Sequence, residues 1–136
     1  MKNRIQYPFG SPLINSKEIN NVSRVLKSKI LVHGQQTINF ENKFKEFTKA
    51  KYAIAVSSCT AGMHLFYNAV GIGNGDEVIV PAQTHLATAH AVELNGAKAV
   101  FVDANLNTGN IDIEKIEEKI TKKTKAICIV HYLGLP

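Results

Sequence analysis

Small hydroxyl side chains stand at a junction between two apolar segments, and this part of the sequence is the best suited to bind an anion. The apolar run 52–56 leads into Ser57-Ser58-Cys59-Thr60-Ala61-Gly62 and then into an apolar stretch. A helix beginning near Thr60 would point its first N–H groups and its positive dipole end at a ligand, and Ser58 and Thr60 could add hydroxyl donors. A phosphate suits these donors. Either hydroxyl could equally serve as an ordinary helix cap, so the junction alone leaves both interpretations open.

Other patterns typical of cofactor or metal sites have the wrong spacing in this sequence. The glycines of Gly71-Ile72-Gly73-Asn74-Gly75 follow a predicted helix and precede a strand, which is the reverse of the dinucleotide-binding order. His85 and His90 diverge on a helix, and we expect no metal site. Cys59 and Cys128 have no CxxC partner, so both are predicted to be free thiols.

Composition places the chain among globular candidates rather than nucleic-acid or membrane proteins. Its 136 residues are 45% hydrophobic, and its net charge is +5. The densest group of lysines, within 115–125, is interleaved with glutamates, which is typical of a solvated helix face and argues against a nucleic-acid partner. No apolar run approaches the roughly 20 residues of a membrane span, and the start lacks a signal peptide. The expected location is cytoplasmic, with no membrane partner.

Apolar spacing predicts alternating helices and strands. Asn15 and Glu18 form a capping-box pattern before a first helix over about 16–28. Phe40, Phe44 and Phe47 share one face of a second helix, where we expect them to be core. The remaining prediction comprises strands at 52–56, 77–80, 98–102 and 126–130, and helices at 60–70, at 84–94 and from Asp112. This order indicates an α/β fold with a mostly parallel sheet and helices on both faces.

Several segments together resemble the DegT/DnrJ/EryC1/StrS aminotransferases over about 100 residues and nearly the whole chain. The segments that carry the resemblance are Gly34-x5-Phe40-Glu41, Tyr52 to Ala61, Gly71-Ile72-Gly73-x-Gly75-Asp76-Glu77-Val78-Ile79-Val80-Pro81, Thr84-His85-x-Ala87-Thr88, Gly96-Ala97-x-x-Val100-Phe101-Val102-Asp103 and Val130-His131-x-x-Gly134-x-Pro136. The resemblance implies the front part of the large domain of a fold-type I pyridoxal 5′-phosphate (PLP) enzyme. Residues 1–50 would form N-terminal helices, and 51–136 would begin the cofactor-binding α/β domain.

The activity that the resemblance implies is transfer of an amino group from an amino acid, commonly glutamate, to a nucleotide-linked keto sugar. Such enzymes are usually homodimers and serve polysaccharide or secondary-metabolite sugar biosynthesis. By position, Thr60 and Ala61, with Ser58 nearby, would hold the cofactor phosphate, and His85 would lie against the pyridine ring. Cys59 replaces the usual glycine of the turn, and Gly62-Met63 replaces the usual Ala-Leu.

The same resemblance assigns no catalytic residue to this chain. The family's pyridinium-pairing aspartate and Schiff-base lysine lie beyond the position that matches Pro136, so the chain is expected to be a fragment, inactive alone. Two alternatives remain open. One is a relative with altered chemistry, such as a PLP-dependent sugar dehydratase or a regulatory protein. The other is a non-catalytic α/β module that binds a phosphorylated ligand.

Overall fold

A computed structural model describes residues 10–136, which form two compact units that divide between Ala55 and Val56. In the first unit, helix α1 spans Ser16–Leu26. Its N-terminus has the predicted cap: Asn15 Oδ1 accepts from Lys17 N at 2.9 Å, and Glu18 Oε2 accepts from Asn15 N at 2.9 Å. These bonds satisfy N–H groups that the first helical turn leaves without intrahelical acceptors. The predicted first helix is confirmed and ends two residues early.

Helix α2 spans Gln35–Thr48 and ends at Lys49, which has a left-handed backbone with φ 60°. The rings of Phe40 and Phe44 lie with their centroids 6.0 Å apart. The three phenylalanines are nevertheless 58%, 49% and 85% exposed in chain order, so the prediction that they are core is wrong for this chain. Amphipathic spacing identifies the apolar side of a helix, but burial also requires a partner surface.

The second unit is built on a parallel sheet of three strands in the order β2-β1-β3. Its elements in chain order are α3 (Cys59–Ala69), β1 (Glu77–Pro81), α4 (Leu86–Glu93), β2 (Lys98–Val102) and β3 (Thr124–Ile127). Strands β1 and β2 pair in continuous register from Glu77 opposite Lys98 to Pro81 opposite Val102. Strand β1 has a partner on each edge, and four of its five residues are buried.

The core of this unit lies on both faces of β1. Val78 and Val80, both fully buried, pack with residues of α3 and α4, among them Tyr67 and Val92. On the opposite face, Ile79 packs with Val102 and Ile111. Alternate residues of a strand point to opposite faces, so a continuous apolar run indicates a sheet covered on both sides. The α/β fold class is confirmed.

Three predicted elements differ from the structure. The segment 52–56 belongs to no helix and to no strand pair among the described residues, and Ile54 is 80% exposed. The helix predicted from Asp112 is replaced by two short 3₁₀ turns, Ile113–Lys115 and Glu117–Lys119, although Asp112 Oδ1 does accept from Glu114 N at 3.2 Å. Strand β3 ends at Ile127 instead of residue 130. A strand needs a paired neighbour and a helix needs a buried face, and these segments lack them within residues 10–136.

Candidate functional site

Helices α3 and α4 bring their N-termini to the same edge of the sheet. Helix α3 precedes β1 and α4 follows it. Gly96, after α4, approaches Asn74, after α3, and Asn95 Nδ2 donates to the carbonyl of His64 in the middle of α3 at 3.3 Å. These contacts lie at the end of the sheet where β1 begins, and both helices run antiparallel to that strand. The two N-termini therefore lie at the carboxyl end of β1, which is the usual ligand-binding edge of a parallel α/β sheet.

Ser58 caps helix α3. Its Oγ accepts from Ala61 N at 3.1 Å, and its carbonyl accepts from Gly62 N at 3.1 Å. Within residues 10–136, no acceptor is found for the N–H groups of Cys59 and Thr60. The first turn thus retains two backbone donors, and the hydroxyls of Ser58 and Thr60 stand beside them in sequence. Such a cluster at a helix N-terminus suits a phosphate.

His85 caps helix α4, a role that the sequence prediction missed by starting the helix at residue 84. Its Nδ1 accepts from Ala87 N at 3.1 Å. The side chain is exposed. A capped, exposed ring at this edge is available to contact a bound group.

Two threonines for which the sequence predicted no role support the His85 cap. Thr88 is 5% exposed, and its hydroxyl lies 2.8 Å from the Thr84 hydroxyl. The bond joins the residue before the cap to the first turn of α4, and it satisfies a polar group that would otherwise be costly to bury. The Thr84-x3-Thr88 spacing is the sequence signal that could have predicted it.

The two cysteines line one shallow groove of about 490 Å³ between α3 and the end of β3. Both are free thiols, as predicted; Cys59 is exposed, and Cys128 is half-buried beside Tyr67. Burial, and after it the neighbouring Cys128 thiol, raises the pKa of the Tyr67 phenol well above its ordinary value.

Within residues 10–136, no group of three or more His, Cys, Asp or Glu could hold a metal ion. Nor is any described helix long and apolar enough to cross a membrane.

The donors at this edge fit the phosphate of PLP. Backbone N–H groups of Cys59 and Thr60 lack acceptors among the described residues, and the Thr60 hydroxyl follows them on the same turn. No acidic residue lies in that first turn, so no carboxylate opposes an anion there. Cys59 adopts ordinary helical geometry, because it begins α3 and its φ is not among the positive values of the chain. The side chain that replaces the usual glycine therefore causes no backbone strain.

Comparison with known proteins gives this geometry a family context. Residues 12–136 match the sequence pattern of the DegT/DnrJ/EryC1/StrS aminotransferase family. The chain belongs to this family. The sequence-based identification is thereby confirmed, and the resemblance extends over the helix N-termini described above.

Individual relatives of the family show the same relationship. The chain is 45% identical over 129 residues to the uncharacterized protein MJ1066 of Methanocaldococcus jannaschii, covering 95% of this chain and 33% of that protein. It superimposes with a TM-score of 0.90 on Spr1654 of Streptococcus pneumoniae, assigned as a sugar aminotransferase and solved in its pyridoxamine phosphate form, at 34% identity over 96% of this chain and 33% of that one. It also matches a GDP-4-keto-6-deoxymannose-3-dehydratase with trapped PLP-glutamate, with a TM-score of 0.82 and 34% identity over 91% of this chain and 34% of the other.

The chain spans about a third of the length of the relatives that it matches. The solved relatives have the fold-type I architecture, and they include a pyridoxamine phosphate form, a PLP form and a PLP-glutamate adduct. The prediction that PLP is the cofactor of this family is confirmed.

Proposed function

We propose that this chain forms the phosphate-binding part of a PLP-dependent sugar aminotransferase. The observation that carries the proposal is the pair of helix N-termini at the carboxyl end of β1, in a chain of this family. One has N–H donors without an acceptor among residues 10–136, and the other is capped by an exposed imidazole. The protein would move an amino group from an amino acid, with glutamate as the expected donor, to a nucleotide-linked keto sugar. A homodimer is the expected assembly.

Each residue of the site has a physical role in this proposal. The N–H groups of Cys59 and Thr60 and the Thr60 hydroxyl bind phosphate oxygens, and the positive end of the α3 dipole favours their charge. Ser58 holds the turn by capping it and can donate its hydroxyl hydrogen to the same group. The N–H of Ala61 already donates to the Ser58 hydroxyl oxygen, so Ala61 is part of the turn but is not proposed as a donor to the phosphate.

His85 supplies a flat surface that lies against the cofactor ring in this proposal. The cap bond holds one edge of the imidazole, and the contact with the cofactor is stacking of the flat ring. When bound, PLP supplies an electron sink for the carbon that carries the amino group. None of the lysines in this chain is assigned as the Schiff-base lysine, so the proton transfer at carbon is not attributed to residues 1–136.

The test uses purified protein that contains this chain. We expect bound PLP with its visible absorbance and, with glutamate and a nucleotide-linked keto sugar, formation of 2-oxoglutarate and an amino sugar in equal amounts. Thr60→Ala should reduce PLP retention, whereas Thr108→Ala, which changes an exposed threonine in a separate loop, should not. Protein that binds no PLP under these conditions would refute the proposal.

A second candidate is PLP-dependent removal of a hydroxyl group from the sugar. It is favoured by the 34% identity to the dehydratase noted above. The same assay separates the two activities, because the dehydratase product lacks both the hydroxyl group and any new amino group. Mass spectrometry of the sugar product therefore decides between them.

A further inference from the structure

The side chain of Asn110 forms hydrogen bonds between two loops that are distant in sequence. Its Oδ1 accepts from Tyr132 N at 2.7 Å, and its Nδ2 donates to the Leu135 carbonyl at 3.0 Å. The amide thus binds both ends of the 3₁₀ turn Tyr132–Gly134. Asn110 is itself held in place, since its carbonyl accepts from Asn105 N at 2.8 Å. An amide that uses both its nitrogen and its oxygen on one turn is suited to fixing the conformation of that turn.

The neighbouring glycine makes room for the same turn. Gly109 has φ +72°, and a Cβ at this position would lie 2.5 Å from Cδ1 of Tyr132. Only glycine therefore lets the Tyr132 ring approach this backbone. Within the turn, Leu133 has φ 51°, an unusual backbone for a bulky residue, and its side chain is 86% exposed. A strained turn that presents an apolar side chain to solvent indicates a functional constraint.

The topology places this turn beside the proposed cofactor site. Asn110 belongs to the loop after β2 and the turn follows β3, whereas β1 lies between these two strands. Ile111, next to Asn110, packs on Ile79, on the face opposite α3 and α4. The carboxyl end of β1 therefore has the helix N-termini on one face and the Asn110-bound turn on the other. Both therefore lie at the carboxyl edge of the sheet, where ligands of parallel α/β sheets usually bind.

We propose that Asn110 is a positioning residue that holds the turn Tyr132–Leu135 as the substrate-side wall of the crevice. The helix N-termini bind the cofactor phosphate, and the opposite wall contacts the carbon skeleton of the amino acceptor, with Leu133 as its apolar surface. This inference rests on the proposed aminotransferase function. It assigns to the loop after β2 a role in acceptor binding that is separate from cofactor retention.

The test compares variants of the protein that contains this chain, with amide hydrogen exchange, PLP retention and steady-state kinetics as readouts. Asn110→Ala removes both bonds to the turn, and Asn110→Asp keeps the acceptor for Tyr132 N but loses the donor to Leu135. Gly109→Ala perturbs the turn from a different atom and keeps the amide. Asn107→Ala, at an exposed position of the same loop whose side chain makes no hydrogen bond within residues 10–136, is the matched control.

We expect amide exchange in 132–135 to accelerate about thirtyfold in Asn110→Ala, which loses two bonds, about fivefold in Asn110→Asp, which loses one, and not at all in Asn107→Ala, in line with about 1 kcal/mol per lost bond. KM for the acceptor should rise by about fivefold or more in Asn110→Ala and in Gly109→Ala, with smaller changes in kcat and unchanged PLP retention. Gly109→Ala disturbs the same turn without changing Asn110. A raised KM in both variants would therefore not be explained by a folding defect specific to Asn110→Ala.

Two results would overturn the inference while leaving the aminotransferase function intact. One is unchanged amide exchange in the turn of Asn110→Ala. The other is faster exchange in the turn with an unchanged acceptor KM, which would make the Asn110 bonds purely structural. Failure of the parent protein to bind PLP or transfer an amino group would instead refute the proposed function and the acceptor role with it, and the exchange comparison would still decide whether Asn110 positions the turn.

Discussion

Substitutions of His85 can separate its cap from its ring. In the structure Nδ1 caps α4 by accepting from Ala87 N at 3.1 Å, while the exposed imidazole is proposed to lie against the cofactor. Asparagine is among the best N-cap residues but has no ring. Phenylalanine has a ring but no acceptor. Alanine has neither, so three variants of His85 isolate the two contributions.

The magnitudes follow from each lost interaction. Loss of an N-cap costs about 1 kcal/mol of stability, so we expect His85→Phe and His85→Ala to unfold about 1 kcal/mol more easily than the parent and His85→Asn to be close to it. Stacking of flat groups contributes about 0.5–1.5 kcal/mol, equivalent to about two- to tenfold in affinity. PLP retention should therefore follow a different order, with Phe at least equal to His and both above Asn and Ala.

Urea denaturation of the apo proteins gives the first order, and titration with PLP followed by absorbance gives the second. His90→Ala is the control, because His90 is an exposed residue of the same helix outside the proposed site. PLP retention in His85→Asn equal to that of the parent would show that the ring has no contact with the cofactor. If PLP retention follows the free energy of unfolding across the variants, His85 acts only as a helix cap.

Three further perturbations test the site and its support. Thr60→Ala keeps the backbone donors but removes a hydroxyl, so PLP affinity should fall by about 1–3 kcal/mol in a titration in which Thr60→Ser stays close to the parent; equal loss in both would contradict the hydroxyl contact. Thr84→Ala leaves the Thr88 hydroxyl, 5% exposed, without the partner it has here and should cost about 1–3 kcal/mol in urea denaturation, whereas valine at both positions should cost less. The raised pKa of Tyr67 means that the folded protein keeps the phenol protonated after the unfolded chain ionises, so unfolding free energy should be level below pH about 10 and decline above it. Tyr67→Phe should remove that decline, whereas Tyr52→Phe, at an exposed tyrosine, should leave it unchanged. Identical pH profiles for the parent and Tyr67→Phe would contradict the burial argument.

Local chemistry explains which elements could be predicted from the sequence. The capping pattern of Asn15 and Glu18 needs only neighbouring residues, and the structure forms both of its bonds. The apolar run 78–80 lies in the central strand because its residues have core contacts on both faces. The hydroxyl-rich junction likewise carries its own information: Ser58 caps α3 through an atom three residues from its partner. In each case the signal and the structure lie within a few residues.

Elements that depend on distant partners could not be predicted in this way. The 52–56 segment has strand-like composition, but pairing is non-local, and no described strand lies beside it. The region after Asp112 has helical spacing, yet Ile113 is 76% exposed and only Ile116 packs on the core, so too little apolar surface is buried to sustain a helix. Asn110 gave no signal because its two partners are 22 and 25 residues away.

The junction at Ser58 shows that a helix cap and a phosphate site are compatible interpretations of the same residues. The Ser58 oxygen accepts from Ala61 N, and this bond occupies a lone pair but leaves the hydroxyl hydrogen able to donate. The cap occupies the Ala61 N–H, so the N–H groups of Cys59 and Thr60 are the first-turn donors that have no acceptor among residues 10–136. A cap that organises the turn while using only one of its N–H groups keeps the remaining donors aligned before any ligand binds. Pre-organisation of this kind lowers the entropy lost on binding, because the donors need no further ordering.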